Sequence, residues 1–132
     1  MFAHEPIEWP EEVENLIEQL EEEASERQLR REERALLDVY QAIPLVEGED
    51  GLHGFWHSEV NHQRIITSFD LIGASTLVDG LNASRWCESR GEDRNDYSET
   101  EEEYLSSIEE EFFDGMDDLL DLVLDFIEDE LA

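Results

Sequence analysis

At 132 residues the chain is long enough for about one domain. It carries 38 Asp and Glu against 8 basic residues, all of them Arg, for a formal net charge of −30. A surface of that sign repels phosphate and anionic lipid, which excludes direct nucleic-acid binding and docking on an acidic leaflet.

The hydrophobic fraction is 39%, and the apolar residues recur at helical spacings. The chain therefore reads as a folded domain with acidic faces rather than a disordered acidic tail. Met1 to Pro10 lacks the basic and apolar regions of a signal peptide, and no apolar run approaches the length of a membrane span. Cys87 is the single cysteine, which fits a reducing cytosol.

In chain order, Pro10, Glu11 and Glu12 suit the start of a helix. Val13, Leu16, Ile17, Leu20 and Ala24 supply its apolar stripe. Ser25 with Gln28 opens a second helix through a capping box, or the first helix continues. Leu29, Leu36, Leu37, Tyr40 and Ile43 extend the pattern until Pro44 and then Gly48 to Gly51 stop it. A short helical turn lies within Leu52 to Val60. Asn61 caps a helix through Ile65, Ile66, Phe69 and Ile72 that Gly73 ends. Ser75 caps the next, through Leu77, Val78, Leu81 and Trp86, ending near Gly91. After a polar loop from Glu92 to Tyr97, Ser98 and Glu101 form a capping box before Tyr104, Leu105, Ile108 and Phe112. Gly115 separates this helix from a last one with Leu119, Leu120, Val123, Leu124, Ile127 and Leu131 on one side. No segment alternates with period two, so the expected fold is all-α: a single domain of about six helices over residues 1–132.

The charge is unevenly placed. Residues 1–26 hold ten acids and no Arg, and residues 92–132 hold eighteen acids and one Arg, so −10 and −17 of the total lie at the two ends. The acids also form stripes: Glu11, Glu14, Glu18, Glu21 and Glu22 on the first helix; Glu99, Glu102, Glu103, Glu109 and Glu110 on the Ser98 helix; Asp114, Asp118, Asp121, Asp125 and Glu128 on the last. One charge per helical turn is one about every 5 Å, so two or three stripes side by side approach the line density of duplex DNA, one phosphate per ~1.7 Å. Like charges one turn apart repel, and a merely solvated face accounts poorly for three unrelieved stripes. Two readings compete. The surface imitates a phosphate backbone for a DNA-binding protein, or the chain is an acidic protein-interaction domain from a salt-adapted cell. Absence of Lys favours the second; clustering at the two ends favours the first.

Asp70-Leu71-Ile72-Gly73-Ala74, with Leu77, Val78 and Leu81 behind it, resembles the Ile-Gly-Ala helix start of the DNA mimic protein nineteen-like family. Tyr40, Val46, Glu47 and Gly51 to Trp56 are similar to that family's approach to its Gly-Gly-Phe segment, with His53 in the first Gly place. Glu109 to Phe113, followed by Asp117, Asp118, Leu119, Leu120, Phe126 and Ile127, is similar to its closing helix pair. The resemblance spans roughly residues 30–131. It implies an acidic all-α protein, able to form a homodimer, that binds a DNA-binding regulator in place of DNA.

Chemical alternatives are weaker. His53 and His57 are one turn apart, and with His62 or Glu59 they have the spacing of zinc ligands; Phe55 and Trp56 between them favour packing instead. No phosphate loop, nucleophile elbow or H-E-x-x-H is present, so no catalytic residue, cofactor or metal is assigned. Cys87 beside Trp86 reads as core. The cluster Arg27, Arg30, Arg31 and Arg34 either pairs with the chain's own Glu stripes or meets the acids of a second copy.

Overall fold

The computed structural model describes residues 7–131 except 49 and 92; the expectation for the first residues as a signal-free start therefore lies mostly outside them. Among the described residues the fold has seven α-helices: α1 Glu11–Ala24, α2 Arg31–Glu47, α3 Leu52–Trp56, α4 His62–Ile72, α5 Ser75–Ala83, α6 Glu99–Met116 and α7 Leu119–Phe126. Short 3-10 turns at Arg85–Ser89 and Arg94–Asp96 lead from α5 to α6, and a π-helical turn at Ile127–Leu131 follows α7. Among the described residues there is no strand. The fold is all-α, with one helix more than the spacing suggested.

α2 is the hub. It packs against α1, α3, α4 and the C-terminal π turn, while α5 and α6 form the other close pair. The core runs from Val13, Ile17 and Leu20 of α1 through Leu36, Val39 and Ile43 of α2. It continues to Phe69, Leu77, Leu81, Leu105, Phe112, Leu119 and Val123, all buried. One buried carboxylate fixes the α2–α4 pairing. Asp38 is 2% exposed and accepts from Arg64 Nε and Nη2 at 3.1 Å each and from Ser68 Oγ at 2.9 Å.

Several boundaries fall where local chemistry put them. The Pro10 carbonyl accepts from Val13 N and Glu14 N. Asn61 Oδ1 accepts from Arg64 N at 3.0 Å, and Gly73 closes α4 at φ 93° in the left-handed region. The Ser98–Glu101 capping box is complete: Glu101 N donates to Ser98 Oγ at 3.1 Å, and Ser98 N donates to Glu101 Oε1 at 3.0 Å.

Others differ. Ser25 does not open α2; its hydroxyl donates back to the Glu22 carbonyl at 2.7 Å and closes α1. α2 starts after Arg30, whose N–H donates to the Glu33 carboxylate at 2.9 Å. Pro44 does not stop α2, because Val46 beyond it is buried in the core and carries the helix on to Glu47. Pro44 itself is exposed, and without an N–H it gives the Tyr40 carbonyl no helical donor. Ser75 is the first residue of α5 rather than its cap, and α5 ends at Ala83, short of Trp86. Gly115 lies inside α6. A Cβ there would sit 2.8 Å from Thr76 Cγ2, and one at Gly80 would sit 2.9 Å from Phe112 Cδ2. Both glycines are notches that let α5 and α6 approach, and the helix break comes at Asp117 and Asp118 instead.

Candidate functional site

The amphipathic pattern of each terminal helix decides where its acids go. α1 buries Val13, Ile17 and Leu20, α6 buries Leu105, Ile108, Phe112 and Met116, and α7 buries Leu119, Val123 and Phe126. Most charged residues between those positions face water. Glu11, Glu14, Glu18, Glu21 and Glu22 are all exposed on α1, and so are Glu99, Glu103, Glu110 and Asp114 on α6. Asp118, Asp121, Asp125 and Glu128 are exposed on the last turns. Among the described residues, none of these thirteen carboxylates makes an ion pair. Asp114 belongs to α6 and Asp118 precedes α7, so the last stripe runs across a helix break rather than along one helix. α1 and the π turn both pack on α2, so acids from the two ends of the sequence flank one helix.

Two of the expected stripe residues behave differently. Glu109 is 1% exposed and faces inward. It accepts from Leu52 N at 3.0 Å and from Arg94 Nη1 and Nη2 at 2.9 and 2.7 Å. Glu102, half-exposed, accepts from the same guanidinium at 2.8 Å. Arg94 also donates to the Asp50 carbonyl at 2.8 Å, so one side chain ties the turn before α3 and the turn before α6 onto α6. Gly51 permits this. Its φ is 58°, and a Cβ would collide with the Glu109 carboxylate. Sequence reasoning missed this clamp; the signal was Arg94 itself, the lone cation among eighteen acids.

The N-terminal Arg cluster serves the chain's own acids. Arg27 donates to Glu33 at 2.9 and 3.1 Å and to Glu23 at 3.2 Å, bridging the end of α1 to the start of α2. Arg30 and Arg31 pair with Glu33 and Glu32. The hydrogen bonds from Arg27, with that from the Arg30 N–H, hold the Glu33 carboxyl down at about 2, although burial opposes them. Arg90 donates to Glu101 at 2.6 Å. The Ser98 N–H, with that guanidinium, holds the Glu101 carboxyl below its ordinary value. The fold thus places Arg27, Arg64, Arg90 and Arg94 beside carboxylates that serve packing and capping, and leaves thirteen of the fifteen stripe acids without an ion pair among the described residues.

His53, His57 and His62 sit in an aromatic cluster. His57 Nε2 donates to the Cys87 carbonyl at 2.9 Å, and His62 Nε2 donates to the Phe55 carbonyl at 2.8 Å while its ring stacks on Trp56. His53 Nδ1 meets the Tyr97 hydroxyl. Among the described residues, no three His, Cys, Asp or Glu groups gather closely enough to hold a metal ion. Cys87 is 0% exposed; burial pushes its thiol up, against the hydrogen bond with Tyr97, away from the reactive thiolate form. Burial and the same hydrogen bond push the Tyr97 phenol up. A cleft of about 300 Å³ between α2 and α4 is lined by Asp38, Gln41, Glu59, Val60 and Arg64; its buried carboxylate is the one already held by Arg64 and Ser68. No helix among the described residues is long and apolar enough to cross a membrane.

No protein-family model, curated protein or solved structure matches this chain.

Proposed function

We propose that this protein is a non-enzymatic DNA mimic, acting in the cytoplasm, whose striped carboxylates occupy the DNA-binding surface of a transcriptional regulator or other nucleic-acid-binding protein. The observation that carries the reading is the set of thirteen exposed carboxylates, Glu11 to Glu128, without ion pairs among the described residues, while Arg27, Arg64, Arg90 and Arg94 pair with acids that hold the fold. Phosphate-binding surfaces present Arg and Lys as fixed, partly desolvated cations. Carboxylates held on helices at one per turn offer such cations repeated anions, with association that is fast and sensitive to salt. The resemblance to the DNA mimic protein nineteen-like family supports the same reading, and extends it to a homodimer.

Capture from native lysate at low salt tests it. The immobilised protein is expected to retain DNA-binding proteins that duplex DNA then elutes. Retention of none, or retention that duplex DNA leaves unchanged, contradicts the proposal.

The second reading, an acidic interaction domain of a salt-adapted cell with no mimic activity, is favoured by one observation: the chain contains no Lys. That reading requires the domain to unfold when salt is removed. A cooperative melt retained in low-salt buffer would eliminate it.

A further inference from the structure

Among the described residues Tyr104 is the one exposed aromatic side chain, 56% exposed. It is not a loose surface residue. Its ring lies parallel to that of Trp86, 4° apart in plane with centroids 5.8 Å apart. With one face against Trp86, that exposure requires the other face and the edges of the ring to lie in water. α6 presents Tyr104 amid acids. Glu103 precedes it, and Glu111 lies two turns on along the same side of the helix; both are exposed.

The same aromatic stack already seats one cation. The Arg90 guanidinium lies 5.4 Å from the Trp86 ring centroid while it donates to the Glu101 carboxylate at 2.6 Å. Ring and carboxylate together form a receptor for a planar cation, and the exposed Tyr104 ring, with exposed Glu103 next to it in sequence, offers both groups again. A nucleobase stacks on such a ring as well, but it carries a phosphate into a segment holding −17. An apolar segment finds carboxylates at the rim. Arginine satisfies both parts: its guanidinium stacks flat on an aromatic face and its fork pairs with a carboxylate, whereas the compact ammonium of Lys does the first poorly.

We propose that the outward face of Tyr104 is an arginine-recognition point for the basic partner, so that the surface discriminates Arg-rich from Lys-rich segments as well as attracting positive charge. This rests on the mimic reading for the partner's charge and adds the residue type that it presents.

The experiment compares octa-arginine with octa-lysine peptides by calorimetry, at one ionic strength, on wild type, Tyr104→Phe and Tyr104→Ala. Carboxylates alone give Arg some preference, so the readout is the change in the Arg-to-Lys affinity ratio. The ratio is expected to be retained in Tyr104→Phe and to fall about two- to five-fold in Tyr104→Ala. Tyr104→Ala is expected to bind octa-lysine about as the wild type does, with circular dichroism unchanged because Tyr104 is exposed. An equal ratio in wild type and Tyr104→Ala overturns the proposal and leaves the mimic reading standing. If neither peptide binds the wild type, both fall.

Discussion

Arg94 is the one cation in a segment with eighteen acids, and its guanidinium turns inward to Glu109, Glu102 and the Asp50 carbonyl. Removing it strands Glu109 as a buried, uncompensated charge. Arg94→Ala is therefore expected to lower stability by about 3–5 kcal/mol in urea titration, as breaking a buried pair from one side does. A loss below about 1 kcal/mol would show the clamp to be incidental. Glu33 makes the second prediction at this scale. Its carboxyl ordinarily titrates at 4.5 and is held at about 2 in the fold. A depressed value means the stabilisation is complete above pH ~4.5 and is lost as pH falls toward ~2. The stability difference between wild type and Glu33→Gln should thus be constant near neutrality and shrink steadily below pH ~4.5; a difference independent of pH would contradict the assignment. Because Arg27 is exposed, added salt should reduce that difference as well.

At the scale of helices, the boundaries separate into two kinds. Asn61 and Ser98 were legible because a cap is local: a short polar side chain reaching an N–H three residues on needs no tertiary information. Pro44 and Gly115 were misread because their meaning is tertiary. Burial of Val46 carries α2 through a proline, and the approach of Thr76 makes Gly115 a notch rather than a break. Gly115→Ala should accordingly destabilise by about 1–3 kcal/mol through overpacking, despite the better helix propensity of Ala. In a double-mutant cycle Thr76→Ala should recover part of that loss. Additive effects would place the strain elsewhere. The stripes were legible for the same reason as the core, since both follow from 3.6-residue periodicity. Glu109 was the exception, and no spacing rule distinguishes a carboxylate that a distant Arg draws inward.

Over the whole molecule, the pattern is a division of charge. Arg27, Arg64, Arg90 and Arg94 neutralise carboxylates that hold the fold, and the excess of −30 is carried mainly by uncompensated acids at the two ends of the sequence. Self-repulsion of that size destabilises the compact state. The melting temperature should rise as NaCl increases toward ~0.5 M, where screening shortens to a few ångströms, while the fold persists at low salt. The most direct measurement of the central claim is competition on a purified partner: the fraction of that DNA-binding protein on labelled duplex DNA as this protein is added. Release of the DNA is expected near stoichiometric addition. It is expected to weaken strongly with added salt and with Asn replacing Asp114, Asp118, Asp121 and Asp125. A ternary complex with the DNA still bound, or release that the Asn variant leaves unchanged, would contradict it.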